Sequence, residues 1–511
     1  MSHLELVPRT DAPAGPVILD GVHLALAELV RIARGGAPVA LGEEAAGRVA
    51  AAADRLEQIA RSGPPLYGLH TGVGALERER DGGVDGRQES LLRSHAAGVG
   101  PPLRDDQVRA MMAARASQLA AGYSGVTPAA LAGLVDLLNR GVVPVVPEAG
   151  SVGASDLAPL AHAALVLVGE GSARVAGAVL SGRAALAAVG LEPVTLRGRD
   201  ALALINGLAQ TVAVGGLATW DARRLVGAVE AVSALGLFAM AAPSDFLDPR
   251  LAREKRHAGQ IESSRRSREL LGAVRPADGD APLRAPLSVR YAPQVAGAAR
   301  TALDLAERVI AAELDAAVDN PFLADGFVTS NSALTCGQEL GQAFDMLASS
   351  LTAVAAASER RTAALLDERM SGLPAFLRHP HSRPGVDSGL MISQYTAAAL
   401  VAELRARGGA ASVQSIPTCA GVEDHVSMCA IAARHAAWVV EQVDAVVAIE
   451  LLCAAQAADL AGRPLPARLA PLHRALRARV PTQIEDRMLA GDIQSALSVV
   501  RELEPAPAGG A

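Results

Sequence analysis

Apolar residues recur along most of the chain at three- and four-residue spacing, the period of an α-helix. Within residues 20–61 the segments LALAELVRIA and AAGRVAAAADRLEQIARS show this pattern clearly. Long signals of the same kind recur within 290–370, 386–406 and 423–457. Shorter helices are predicted at about 86–98, 105–120, 127–140, 157–168 and 181–189. With no alternation of strands and crossover helices visible, the pattern predicts an all-α fold around a bundle of long helices.

Two loops rich in glycine and proline interrupt the helices in the first half of the chain. They read GPPLYGLHTGVG (63–74) and VVPVVPEAGSVGASD (142–156), and Asp156 is a candidate N-cap for the helix that follows. We therefore predict an N-terminal domain, residues 1–215, that bears the active-site loops. The second domain, residues 216–511, comprises the central bundle and the C-terminal region. Polar residues broken by Pro and Gly predict a surface excursion at 252–286.

Composition excludes several function classes. The chain has 511 residues, a net charge of −7 and only 2% aromatic residues, which argues against a nucleic-acid partner. The most apolar run, residues 201–220, contains Asn206 and Gln210, so a buried helix is predicted and no membrane partner is expected. Four cysteines without a CxxC pair, and no visible signal peptide, predict free thiols in a cytoplasmic protein.

Common catalytic motifs are absent from the sequence. It has no GxxxxGK[ST], HExxH or GxSxG motif, so no phosphate loop, metal site or hydrolase elbow is expected. The only lysine, Lys255, stands in a polar segment, which argues against pyridoxal-phosphate chemistry. What remains is a set of polar residues in Gly-rich or apolar surroundings. These are Tyr67, His95, Ser155, Asn206, Arg290 and Glu423.

The segments that contain these residues together resemble the histidine/phenylalanine/tyrosine ammonia-lyase family, the aromatic amino acid lyases. In chain order they read LYGLHTGVG, SHAAGVG, PEAGSVGASDLAPLAHAALVLVGEG, LALINGLAQ, SVRYAPQVAGA, DNPF, SERR and SIPTCAGVEDHVSM. The resemblance is strongest to the histidine branch. It implies a cytoplasmic all-α homotetramer whose active sites each draw on three chains. It also implies elimination of ammonia from a small-molecule L-amino acid, histidine-like or aromatic, to give an α,β-unsaturated acid.

The resemblance also implies roles for individual residues. Tyr67 matches the catalytic base, and Arg290 matches the arginine that binds the substrate carboxylate. Asn206 matches the asparagine that contacts the electrophile or the substrate.

The positions that govern substrate choice resemble the histidine branch. Ser94 and His95 match its selectivity pair, and Glu423 stands where the phenylalanine branch has glutamine. A histidine and a carboxylate would suit an imidazole or another polar ring. The same residues could equally be inherited from a histidine-specific ancestor.

One glycine of the family motif is missing. The family builds its electrophile, 4-methylidene-imidazol-5-one, from Ala-Ser-Gly in GSVGASGDLAPLAH, whereas this chain reads GSVGASDLAPLAH, with Ala154, Ser155 and Asp156. A one-residue deletion would turn the following helix by roughly 100° or strain the loop. Residues 284–287, RAPL, also replace the family's Gln-Asp-x-Tyr.

Three interpretations remain open from the sequence. The chain is an ammonia-lyase or aminomutase in which Asp156 still permits ring formation. Alternatively, it eliminates without the ring, from a modified amino acid with a better leaving group such as a quaternary ammonium. In the third interpretation it is a non-catalytic homologue.

Overall fold

The computed structural model describes residues 15–63, 65–80, 87–273 and 285–503. In these ranges the chain forms nineteen α-helices. In chain order, α1 to α19, they are Leu26–Gly35, Glu43–Ser62, Arg87–His95, Asp105–Ala120, Pro128–Asn139, Leu157–Leu167, Gly182–Ala188, Asp200–Ile205, Ala209–Ala239, Pro249–Lys255, Ala258–Leu271, Leu287–Arg290, Ala292–Leu314, Gln338–Leu366, Glu368–Ser371, Met391–Ala406, Cys429–Ala461, Ala470–Arg477 and Leu489–Glu502. The all-α prediction is confirmed.

In the same ranges the chain forms nine short strands, which pair segments of the loops with one another. In chain order, β1 to β9, they are Val17–Leu19, Val39–Leu41, Val99–Pro102, Val143–Pro144, Pro147–Ala149, Ser172–Val175, Ala178–Ser181, Phe322–Ala324 and Phe327–Thr329. Strand β3 pairs antiparallel with β5, which joins the segment after α3 to the loop before α6. Strands β8 and β9 form a hairpin.

Four long helices, α9, α13, α14 and α17, form the predicted central bundle. Helix α17 packs against α9 and α14, and α13 packs against both α9 and α14. Their buried faces are mainly Ala, Val and Leu, whose small side chains let the helices approach closely. Buried ion pairs link these helices side by side, Arg361 with Glu450 and Arg224 with Asp444.

The most apolar stretch of the chain is a buried core element, as predicted. Residues Asp200–Ala239 include a window long and apolar enough to cross a membrane, and that window is entirely inside the fold. The proposed boundary between residues 215 and 216 lies within α9, which crosses from the active-site loops into the bundle. The division into two domains therefore stays a proposal.

The predicted surface excursion at 252–286 is wrong for the part that forms α11, whereas residues 253–258 are exposed. Helices α10 and α11 occupy much of it, and α11 packs against α13 and α9. Polar residues there do not mark solvent: Ser263 and Ser264 are buried, and Arg266 pairs with the buried Glu230. Small hydroxyl groups and paired charges can thus occupy a helix interface. Residues 274–284 lie outside the described residues, and with them Arg284.

Candidate active site

The loop before α6 presents Ser155 to the side chain of Asn206. The Ser155 side chain is buried, and its Oγ donates a hydrogen bond of 2.6 Å to Asn206 Oδ1. The backbone at Ser155 has φ +73°, in the left-handed region that costs a non-glycine residue roughly 1 kcal/mol. The strain expected from the shorter loop is therefore located at Ser155.

Asp156 is anchored both by its backbone and by its side chain. Its amide donates to the Gly207 carbonyl oxygen at 2.7 Å. Its carboxylate accepts from Ser151 Oγ at 2.5 Å, from the Thr211 amide at 2.8 Å and from Thr211 Oγ1 at 3.2 Å. Asp156 does stand at the N-cap position of α6, but its side chain makes no capping bond there. It instead satisfies an amide in the first turn of α9, where a negative charge is favourable.

Asn206 connects this loop to the segment before the β8–β9 hairpin. Its Nδ2 donates to Asp319 Oδ1 at 3.1 Å and to the Asn320 carbonyl oxygen at 2.7 Å. Asp319 is itself buried and pairs with Arg199 at 2.9 Å. These bonds fix the orientation in which Asn206 faces Ser155.

Sequence reasoning missed Asp319, Gly207 and Thr211 as parts of this site. Asp319 belongs to the DNPF segment, so its position in a shared motif was an available signal. Gly207 follows Asn206 directly, and a Cβ there would lie 2.3 Å from Nη1 of Arg115, so a larger residue would displace the buried Arg115 guanidinium. Thr211 gave no signal, because its contact with Asp156 depends on how α6 and α9 pack.

A half-buried glutamate and a buried thiol have raised pKa values near the anchored carboxylate. Burial raises the pKa of Asp156 despite its hydrogen bonds. Burial and the nearby charges of Asp156 and Glu339 raise the pKa of Glu313 to about 7, and Glu313 Oε1 has no hydrogen-bond partner. Burial raises the pKa of the Cys429 thiol to about 12, so it is protonated at neutral pH. The region beneath the loop thus disfavours further negative charge.

Tyr67 lies in the first glycine-rich loop, with its hydroxyl oxygen held by a backbone amide. The Gly74 amide donates to the Tyr67 hydroxyl oxygen at 2.6 Å, and the Tyr67 amide donates to Ser330 Oγ at 3.2 Å. Burial raises the pKa of Tyr67, although the Gly74 bond opposes that rise. The next amide, that of Ala75, donates to Cys419 Sγ at 3.1 Å.

The chain brings Glu423 close to Tyr67. The carboxylate of Glu423 accepts from Thr418 Oγ1 at 2.6 Å, which closes a short turn that carries Cys419. The negative charge of Glu423 contributes to the raised pKa of Tyr67, after burial and Cys419. The Tyr67 phenol and the Glu423 carboxylate therefore lie in the same region of the fold.

Ser94 and His95 lie at the end of α3, beside the loop that carries Ser155. His95 Nδ1 lies 2.9 Å from the Leu91 carbonyl oxygen and 3.0 Å from Ser94 Oγ. The following segment touches the loop directly, since a Cβ on Gly150 would lie 3.2 Å from Cα of Gly98. The segment that follows the selectivity pair thus contacts the loop that the resemblance assigns to the electrophile.

Arg290 lies apart from the other site residues. Its Nε donates to the Ala285 carbonyl oxygen at 3.1 Å, and its guanidinium lies 5.6 Å from the Tyr291 ring centroid. With Lys255 it lines a surface pocket formed by α10 to α13. Among its contacts in the described ranges, none joins it to Ser155 or Tyr67. Arg290 therefore lies outside both groups of predicted site residues, the pair Ser155 and Asn206 and the pair Tyr67 and Glu423.

Comparison with known proteins gives one consistent result. The family model for aromatic amino acid lyases matches residues 24–482. The histidine ammonia-lyase of Symbiobacterium thermophilum is 43% identical over 498 residues, covering 95% of this chain and 96% of that one.

Two solved structures share the whole fold. Histidine ammonia-lyase from Trypanosoma cruzi has a TM-score of 0.88 at 34% identity, covering 95% of this chain and 93% of that one. Tyrosine aminomutase from Streptomyces globisporus has a TM-score of 0.90 at 34% identity, covering 95% and 97%. The chain belongs to the aromatic amino acid lyase family, as a carbon–nitrogen lyase of the ammonia-lyase type.

Proposed function

We propose that the protein eliminates ammonia from an L-amino acid with a histidine-like side chain and releases the α,β-unsaturated acid. The observation that carries this proposal is that Tyr67 and Glu423 lie near each other in one chain, in which Ser155 also donates a buried hydrogen bond to Asn206. The names of the relatives at about 40% identity support the choice of histidine.

Tyr67 is the proposed base. Elimination needs a group that takes the β-proton while the amine departs from the α-carbon, and a phenolate can do this. The Gly74 amide donates to the phenol oxygen and so stabilises the phenolate form, whereas burial works against it. The proton taken from the substrate would reside on the Tyr67 oxygen until product release.

Arg290 is the proposed partner of the substrate carboxylate, supplied by another copy of the chain. A guanidinium can hold a carboxylate by two parallel hydrogen bonds. Because Arg290 is remote from Tyr67 within one chain, its role requires assembly, and we propose a cytoplasmic homotetramer. The substrate side chain would then lie toward His95, Ser94 and Glu423.

The residues present do not fit the family's electrophile. The family forms 4-methylidene-imidazol-5-one from Ala-Ser-Gly, and that ring activates the substrate amine. Here the third position belongs to Asp156. Its amide donates a hydrogen bond to the Gly207 carbonyl oxygen, and its carboxylate accepts hydrogen bonds from Ser151 and Thr211. We therefore assign no step of the reaction to the ring.

The same observation favours a second candidate function. Ammonia is a poor leaving group, so elimination without an electrophile is easier when the amine leaves on its own. A quaternary ammonium at the α-carbon meets this requirement and leaves as a neutral tertiary amine. The roles of Tyr67 and Arg290 are unchanged in this alternative.

A substrate panel tests both candidates. The purified assembly is incubated with L-histidine, L-phenylalanine, L-tyrosine and the N,N,N-trimethyl derivative of histidine, and the conjugated acid is followed by absorbance. We expect product only from the two imidazole substrates. Product from histidine supports the first candidate, and product from the trimethyl derivative alone supports the second.

Two variants sharpen this test. Glu423→Gln, which keeps the shape of the side chain, is expected to raise KM for the imidazole substrate. Glu441→Gln alters an exposed carboxylate on α17 that pairs with Arg104, and is expected to leave KM unchanged. Turnover of phenylalanine or tyrosine in preference to both imidazole substrates would overturn the proposed substrate class.

A further inference from the structure

We propose that Ala154, Ser155 and Asp156 stay a linear peptide, with Asp156 serving as the anchor that joins α6 to α9. The inference concerns the same site as the proposed function, but it can be tested without any turnover. The observation behind it is that hydrogen bonds hold both the amide and the carboxylate of Asp156.

Cyclisation makes a specific demand on the third residue. Its amide nitrogen must form a bond to the carbonyl carbon of Ala154, losing its proton, and two molecules of water leave in all. In this structure the amide of Asp156 is a hydrogen-bond donor to Gly207 at 2.7 Å. Ring closure would remove this donor and leave the buried Gly207 carbonyl without it.

The carboxylate of Asp156 holds the same residue from its other end. It accepts from Ser151 and from both the amide and the hydroxyl of Thr211, and the residue is fully buried. Gly207 and Thr211 flank the start of α9, so both anchors belong to one rigid part of the fold. Asp156 cannot turn its amide toward Ala154 without giving up these contacts.

The preceding loop is fixed as well. The Met428 amide donates to the Val152 carbonyl oxygen at 2.8 Å, and Ser427 Oγ donates to the Gly153 carbonyl oxygen at 2.7 Å. Ala154 forms an antiparallel bridge with Cys336. Since both ends are held, the missing residue cannot be recovered by sliding the chain, and Ser155 takes a left-handed backbone conformation although it is not a glycine.

A glycine between Ser155 and Asp156 would supply the amide for cyclisation and leave Asp156 to anchor α6 to α9. Its amide would follow Ser155 directly and have no side chain to restrain it, while Asp156 kept its bonds to Gly207 and Thr211. The absence of that one residue, rather than the charge of Asp156, is what keeps the triplet linear.

The test compares three full-length proteins: wild type, a variant with glycine inserted between Ser155 and Asp156, and Asp156→Gly. Each is purified, digested and analysed by mass spectrometry of the peptide that spans residues 150–162. We expect the linear mass for wild type, and a mass lower by two waters for the insertion variant. Asp156→Gly supplies glycine without the anchor, and we expect it to stay linear.

Two results would overturn the inference. The first is a wild-type peptide lighter by two waters, which needs no variant to fold. The second is an insertion variant that keeps the wild-type oligomeric state and melting temperature yet remains linear. Neither result depends on the substrate, so a failure of the proposed function in the substrate panel would be seen separately.

Discussion

At Asp156 one backbone amide and one side chain tie the start of α6 to the start of α9. The sequence identified this residue because a glycine is missing before it, and it left open whether the following helix is rotated or the loop is strained. The strain is present at Ser155. The anchoring bonds could not be predicted, because they join residues far apart in the chain and arise only when the two helices pack.

Tyr67 and Asn206, by contrast, could be selected from the sequence alone. Their positions within shared motifs were enough to predict them as site residues, and Asn206 does contact Ser155. What the motifs could not reveal is the environment of the phenol. The amide of Gly74 and the burial of the ring act in opposite directions on its pKa, and burial is the larger effect.

The raised pKa of Tyr67 leads to a prediction about pH. If the phenolate is the base, kcat/KM should rise with pH through the neutral and alkaline range, because more of Tyr67 is then deprotonated. Tyr123→Phe, at a tyrosine stacked on Phe322, should keep this rise. A rate that is flat from neutral to alkaline pH would contradict the role given to Tyr67.

Among the elements, the long apolar helices were the easiest to predict and α11 was the hardest. The apolar run at 201–220 identified the start of α9, and helical periodicity at 423–457 identified α17. Helix α11 buries serines and pairs its arginines, so its polarity resembled that of an exposed segment. Composition distinguishes such a helix from a loop poorly, since the partner charge, Glu230, comes from another helix.

Glu313, on helix α13, leads to a prediction about how stability depends on pH. Its folded pKa of about 7 lies above its ordinary 4.5, so the folded state retains a proton that the unfolded state releases. The free energy of unfolding should therefore fall as pH rises from about 4.5 to about 7. Glu313→Gln should melt at a higher temperature than wild type at pH 8, and at the same temperature at pH 4.

A carboxylate on the same helix provides the control. Glu307 is paired with Arg223, so Glu307→Gln should not raise the melting temperature at pH 8. Thermal unfolding of the three proteins across this pH range checks the prediction. An equal effect of both substitutions would show that Glu313 is not the titrating group.

For the whole molecule, the position of Arg290 makes assembly part of the proposed chemistry. Within one chain Tyr67 lies near Glu423 and Ser155 contacts Asn206, whereas Arg290 lies beside a separate surface pocket. Only the family resemblance, which implies active sites built from three chains, pointed to this, because the hydrophobic pattern of one chain does not show which surfaces of two copies meet.

Co-expression of two inactive variants tests the sharing of sites between chains. Tyr67→Phe and Arg290→Ala should each lose most activity when expressed alone. In mixed assemblies some sites would combine an intact Tyr67 with an intact Arg290 from another copy, so part of the wild-type activity should return. Activity that stays at the level of the single variants in confirmed mixed assemblies would contradict a shared site.

The most direct test of the proposed lyase chemistry is amine release from an imidazole amino acid by wild type and by Tyr67→Phe. L-histidine and its N,N,N-trimethyl derivative are both supplied, and the released amine and the conjugated acid are measured together. We expect equal amounts of the two products from wild type, and a rate about 10²- to 10⁴-fold lower in Tyr67→Phe. No amine release from either substrate by a folded wild-type assembly, or an unchanged rate in Tyr67→Phe, would contradict the proposed function.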